Sequence, residues 1–301
     1  MDFEAAQAEL KLLLGRVNPA DVPKLLDWMR NSDELDELLQ DNRRVILQNI
    51  ADDLRTRLPL NAMLPSETSA HLKMQQRPRP TVHVDAFLYD EDQVDSLCED
   101  GTLSRTFCQS CGSTKTTPLD FISHSFSIAE LQFLFQNVLP DLSGRTLLDV
   151  GSRTGAVLYG GCVYSSASRL LGLELSQDFV RLQEEMLHRY GMNLRAQVVH
   201  GDVCTQDALL RTADVLIMNN VFEYFMEPSE QVRAWRFIMQ TFRRSGCLLV
   251  TVPSLQESLS ALQQEALQPG WVEELPVDYN VYLGKDADTE TLKQIHLYRV
   301  L

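Results

Sequence analysis

The sequence predicts an α/β fold: a doubly wound, mostly parallel sheet behind an N-terminal helical region. Three observations carry this reading. Leu147–Val150 is an apolar run broken by one acid, and it ends in a glycine turn, Gly151-Ser-Arg-Thr-Gly155, that opens onto a helical stretch. Further apolar runs follow, each with a polar or turn-forming residue at or next to its end: Leu170–Leu175, Gln197–Asp202, Asp214–Asn220 and Leu248–Pro253. Over residues 1–60, by contrast, apolar side chains recur at the spacing of a helix face.

Taken in order, Leu10, Leu12, Leu13 and Leu14, then Leu25, Leu26, Trp28 and Met29, predict two short helices. Ser32 or Asp33 suits an N-cap, and Leu35, Leu38 and Leu39 begin an apolar stripe that Val45, Ile46, Ile50 and Leu54 continue. Pro59 ends it. Such stripes form core by default, so a helical cap or bundle is expected, with a dimer face as the alternative. Gln75-Gln-Arg-Pro-Arg-Pro80 reads as a linker, because each proline biases its predecessor away from helix. Asp85 to Asp100 is rich in acids and has no Lys or Arg, which predicts a solvated segment or helix. Ile128–Leu139 reads as the helix leading into the first strand, and Trp271–Tyr279 with Ile295–Leu301 as a closing antiparallel pair. The expected organisation is a helical region and linker over 1–80, an acidic segment with a CxxC knuckle over 81–121, and an α/β domain over 122–301.

Composition narrows the function. The chain has 301 residues and 44% apolar content, ordinary for a globular protein, and no run approaches the roughly 20 apolar residues that span a bilayer. Its first residues lack the basic and apolar stretches of a signal peptide, so an intracellular location, cytoplasmic or nuclear, is expected and membrane association is not. A net charge of −15 argues against broad phosphate-driven binding of nucleic acid and would favour a basic protein partner. The alternative is that the charge serves solubility alone. Nothing in the sequence sets the oligomeric state.

The glycine turn brings backbone N–H groups close to a ligand, and Glu174, at the end of the next apolar run, suits a carboxylate that accepts from ribose hydroxyls. An adenosine-containing cofactor follows. Spacing decides which. Arg153 stands where a nicotinamide fingerprint needs its second glycine, and no G-K-S/T follows for a P-loop. Asp149-Val-Gly151-Ser-Arg153-Thr-Gly155 instead resembles motif I, D/E-x-G-x-G-x-G, of the class I S-adenosylmethionine-dependent methyltransferases. Arg153 departs from it: a side chain turned out of the loop is compatible with a cofactor, and one turned in would close the pocket. Val221-Phe-Glu-Tyr-Phe-Met-Glu-Pro228 is similar to the N-V-L-E-H-x-x-x-P segment of the type 11 group, and Arg244–Pro253 to its following turn and strand.

That resemblance covers residues 122–301 and implies a seven-stranded sheet, S-adenosyl-L-methionine as cofactor and in-line transfer of its sulfonium methyl group. It further implies that Glu174 with Leu175 holds the ribose and that Asp202 with Val203 positions the adenine. Gly151, Ser152, Arg153 and Gly155 line the methionine side, with Asp149 organising the turn. Asn219 and Asn220 face the methyl group and the nucleophile. Glu223 and His124 are the candidate general bases, with Tyr224 as a substrate contact. The implied activity is methylation of a protein side chain; the alternatives are a small-molecule methyltransferase and a non-catalytic scaffold on the same fold. Asn219-Asn-Val-Phe lacks the prolines of D/N-P-P-Y/F, which argues against adenine-N6 and glutamine-N5 acceptors. Separately, Cys108-Gln-Ser-Cys111 with Cys98 and His124 could form a Cys₃His structural zinc site. The alternative is reduced thiols. Cys162, Cys204 and Cys247 are expected in the core.

Overall fold

The computed structural model describes residues 3–31, 33–76, 81–108, 116–118, 120–260, 270–281 and 289–301. The chain falls into two compact units, Met1–Ile46 and Leu47–Leu301. The smaller holds α1 (Phe3–Leu14), α2 (Val22–Asn31) and the first part of α3 (Asp33–Arg55). Leu10, Leu12 and Leu13 are exposed rather than core, and none of the side chains of α2 is buried.

In the larger unit α3 ends at Arg55, ahead of Pro59, and buries Leu47, Ile50, Ala51 and Leu54. Those positions follow i, i+3, i+4, i+7, so the face is a regular one. The predicted stripe holds at Ile50 and Leu54 and shifts at its start: Val45 points to solvent and Leu47 takes the core position. Three consecutive apolar residues at 45–47 let either register satisfy the spacing, and packing selects the second. Beyond it, Pro65–Glu67 forms a single 3₁₀ turn and α4 covers Thr68–Gln75. Strand β1 (Thr81–His83) is followed by α5 (Glu91–Glu99), whose N-cap Asp90 accepts from Gln93 N. A small antiparallel pair, β2 (Thr106–Cys108) with β3 (Thr116–Pro118), precedes β4 (Asp120–Ile122), which pairs in parallel with β1. Then α6 (Ile128–Phe133) continues as a wide turn over Leu134–Val138.

The main sheet comprises β5 (Thr146–Val150), β6 (Arg169–Glu174), β7 (Ala196–His200), β8 (Val215–Asn219), β9 (Leu248–Val252), β10 (Val272–Leu275) and β11 (His296–Val300). Its seven strands lie in the order β10-β11-β9-β8-β5-β6-β7. The strands β5 to β9 are mutually parallel, and β11 enters antiparallel between β9 and β10. The crossovers are α7 (Ala156–Tyr164), α8 (Gln177–Arg189), α9 (Asp207–Thr212) and α10 (Pro228–Thr241), with α11 (Leu255–Ser260) and α12 (Thr289–Leu292) after β9. This is the predicted doubly wound, mostly parallel seven-stranded sheet with a helical N-terminal region. Burial on both faces explains why the central strands are continuous apolar runs rather than alternating ones. Their side chains join Trp235, Phe242, Trp271 and Tyr298 in one core cluster. Trp271 is fully buried and donates its indole N–H to the Phe242 carbonyl at 2.9 Å, so its polar atom is satisfied. Among the described residues no helix is long and apolar enough to cross a membrane.

Candidate functional site

Parallel α/β sheets present ligand sites at the C-terminal ends of their strands, where strand order reverses. Here that reversal lies between β6 and β8 on either side of β5, and the glycine turn leaves β5 at that edge. Gly151 and Gly155 take φ of 72° and 89°, in the left-handed region that favours glycine. Gly155 caps α7, and the Gly151 and Ser152 amides both donate to the Leu173 carbonyl, at 2.8 and 3.2 Å, tying the turn to β6. At the end of β6, Glu174 is buried. One of its oxygens accepts from Arg153 N (2.9 Å) and the other from Ser176 N (2.7 Å). Turn and acid therefore form one hydrogen-bonded unit. Burial raises the pKa of Glu174, against those two amides, which lower it. Asp149 is raised well above the ordinary carboxylate value, by burial and then by the nearby Glu174.

Arg153 turns inward. Its backbone also lies in the left-handed region (φ 45°), and its guanidinium is buried. Nε donates to Glu67 Oε1 at 2.9 Å, Nη1 to Asp85 Oδ2 at 3.0 Å, and Nη2 to the Ala62 carbonyl at 2.6 Å. The group lies over the Phe179 ring, 5.1 Å from its centroid. Asp85 is completely buried and well supplied: Oδ1 accepts from the Phe87 and Leu88 amides, and Oδ2 also accepts from Ser125 Oγ at 2.7 Å. Glu67 in turn accepts from Leu64 N at 3.1 Å. The expectation that Asp85 belongs to a solvated run is corrected here; it is a buried counter-ion. Neither partner was legible from spacing, since Glu67 and Asp85 lie 86 and 68 residues away from Arg153.

The remaining predicted residues divide into groups. Asp202 caps the following 3₁₀ turn, accepting from Cys204 N at 2.8 Å, and its other oxygen lies 3.6 Å from Arg233. Val203 is buried beside it, whereas Leu175 is exposed. Ser152 is buried. Asn220 Nδ2 donates to Asn219 Oδ1 at 3.2 Å, and Asn220 N donates to the Val252 carbonyl at 2.8 Å, joining the ends of β8 and β9. Next to that junction is a cavity of about 260 Å³ lined by Asn220, Glu223, Phe222, Trp235 and Glu257 among others. His124 is not among its lining residues. It is buried in a ring cluster instead, stacked on His83 at 4.8 Å and edge-on to Tyr224 and Phe225 at 4.7 and 4.9 Å. Burial, reinforced by the Arg153 charge, lowers His83 to about 4. Neutral His83 then donates from Nδ1 to the Asn61 carbonyl at 2.6 Å.

For zinc, Cys98 is a half-buried free thiol, while Cys111 and the side chain of Cys108 lie outside the described residues. Among the described residues no group of three or more His, Cys, Asp or Glu is arranged for a metal. Of the expected core thiols, Cys247 is buried and Cys162 and Cys204 are partly so.

The strand order, with one antiparallel strand inserted next to the edge, settles the architecture. The fold is class I methyltransferase-like. No family profile matches the chain, and no curated protein matches it. Among solved structures it is similar to an RNA methyltransferase from Salinibacter ruber in complex with S-adenosyl-L-homocysteine, at 15% identity over 57% of this chain and 88% of that one, TM-score 0.35. It is also similar to an O-methyltransferase from Bacillus cereus at 14% identity, over 60% and 84% of the two chains, TM-score 0.39. A third likeness is to the cyclase SpnF, at 21% identity over 50% and 58%, TM-score 0.37.

Fit to the cofactor can be judged on the residues. The glycine turn, Glu174 at the end of β6 and Asp202 after β7 are the donor and acceptor types that a nucleoside needs. The space is another matter. Arg153 extends from the middle of the turn to Glu67 and Asp85, Glu174 is 8% exposed, and a Cβ on Gly151 would meet Val221 at 3.0 Å. In this arrangement Glu174 is buried and both of its oxygens are engaged, by the Arg153 and Ser176 amides.

Proposed function

We propose that the chain is an S-adenosylmethionine-dependent methyltransferase of the type 11 kind that acts on a protein side chain and rests in a closed form. Supporting it is the union of glycine turn and ribose-type acid: Glu174 reaches back from β6 to the amide of Arg153. The cofactor, when bound, supplies an activated methyl group on a sulfonium. The chain's own residues contribute the rest. Glu174 accepts hydroxyls once its present contacts loosen, Asn219 and Asn220 set the edge of β8, and Glu223 stands at the adjacent cavity as a base. Residues 122–301 form the catalytic part in this reading, and residues 61–67 form the closure through Glu67 and the Ala62 carbonyl.

Opening that closure withdraws Arg153 from a carboxylate that has no exposure to water. Breaking a buried, hydrogen-bonded pair costs about 3–5 kcal/mol, and each 1.4 kcal/mol is tenfold in affinity. The resting protein should therefore bind S-adenosylmethionine roughly two to four orders of magnitude more weakly than an opened one. Arg153 also favours a second reading, a non-catalytic scaffold on this fold in which the arginine replaces the cofactor permanently. Calorimetric titration with S-adenosylmethionine and S-adenosylhomocysteine separates the two. In the closed-enzyme reading Arg153→Gly binds at least 100-fold more tightly than the wild type, and adding Glu174→Ala abolishes the gain. No binding by folded Arg153→Gly would leave the scaffold.

A further inference from the structure

The cavity beside Asn220 has a chemical character of its own. It lies at the C-terminal ends of β8 and β9, held there by the Asn220 amide on the Val252 carbonyl. Phe222 and Trp235 line it with rings at 87° and centroids 5.8 Å apart. Glu223 and Glu257, both exposed, are its charged lining residues among those described, and no described Lys, Arg or His lines it. Its volume of about 260 Å³ falls below the roughly 300–1,000 Å³ of pockets that hold whole small-molecule ligands. One long side chain suits it better.

We propose that this cavity binds the lysine side chain of a basic peptide. The aliphatic stem would lie along Val221, Phe222 and Trp235, and the ammonium would sit between Glu223 and Glu257. Lysine divides in this way by nature, burying its methylenes and keeping its charge at a polar edge. The net charge of −15 raises the local concentration of basic peptides around such a mouth. Whether the bound lysine is also the methyl acceptor rests on the function proposed above. Its binding does not, because Glu67, Asp85 and Ala62, the partners of Arg153, do not line the cavity.

The test uses the full chain without cofactor and three fluorescent decapeptides: lysine-rich, the same peptide acetylated on every lysine, and its glutamate counterpart. Anisotropy should show saturable binding of the lysine peptide alone, weakened at least tenfold by acetylation. Glu223→Gln and Glu257→Gln should each weaken it several-fold. Asp92→Asn and Glu184→Gln, exposed carboxylates elsewhere on the larger unit, should leave it unchanged. Equal loss in these controls would mean that the peptide follows the overall charge, and would overturn the site. So would equal binding of the acetylated peptide, or no binding at all. Because no cofactor is present, failure here leaves the methyltransferase reading standing, and weak cofactor binding leaves this one standing.

Discussion

The most demanding consequence of the structure concerns Arg153 and Asp85. Their contact at 3.0 Å joins two buried ions. At an effective dielectric constant of about 20, the Coulomb attraction at that distance is roughly 5 kcal/mol, offset by several kcal/mol of lost hydration for each ion. The pair as a whole is thus near neutral for stability, whereas half of it is expensive. Arg153→Met leaves the Asp85 carboxyl shut away from water without its cation, with only the Phe87 and Leu88 amides and Ser125 as donors. The expected loss is about 3–5 kcal/mol. Asp85→Asn leaves the guanidinium with Glu67 and the Ala62 carbonyl and should cost about 2 kcal/mol, the value of a charged hydrogen bond. Combined, the two changes should cost at least about 2 kcal/mol less than their sum, since the second removes the orphan made by the first. Urea unfolding followed by tryptophan fluorescence measures all four corners of the cycle. A single loss below about 1 kcal/mol for Arg153→Met, or a strictly additive double variant, would refute the buried pair.

Other consequences can be checked on the same material. His83 is depressed to about 4 by burial and by Arg153, so between pH 6.5 and 4 the unfolded chain binds more protons than the native one. Its contribution is complete above pH 6.5 and is lost as the pH falls towards 4. Asp149 and Glu174, with raised values, run the opposite way, so the effect is read as a difference: the stability gap between wild type and His83→Asn should shift by about 3 kcal/mol between pH 7 and pH 4. Gly155→Ala would place a Cβ 2.7 Å from the Tyr159 ring at φ 89° and should destabilise by roughly 1–3 kcal/mol in thermal unfolding. Burial pushes the Cys162 thiol up to about 11, so alkylation at pH 8 should spare it in the native chain and modify it only on unfolding, as mass spectrometry of the peptides would show.

What was legible in the chain is what repeats or is local. Strands β5, β6, β8 and β9 announce themselves because burial on both faces demands apolar residues, and the turn after β5 because glycine most readily takes the positive φ of positions 151 and 155. The face of α3 was harder, since three adjacent apolar residues satisfy two registers and only packing distinguishes Val45 from Leu47. Asp202 shows the limit in another form: a strand-end acid that suits an adenine also suits a helix cap, and it is making the cap here.

Arg153 was the most conspicuous oddity in the sequence, yet its meaning lay in residues that no local pattern connects to it. A guanidinium in the middle of a glycine turn can only be buried if carboxylates meet it. The chain supplies one from the 3₁₀ turn before α4 and one from the loop after β1. Asp85 was hidden by its company, since an acid at the head of an acidic run looks solvated until a cation is found in front of it. The same demand links the helical segment after α3 to the glycine turn: Glu67 and Ala62 come from the region read as a separate N-terminal element, and both bind Arg153. A segment that supplies the counter-ion for a residue inside the glycine turn cannot move without leaving that buried arginine short of a partner. The position of residues 61–67 and the conformation of the glycine turn are therefore coupled, and any partner that displaces that segment acts on the turn through Arg153.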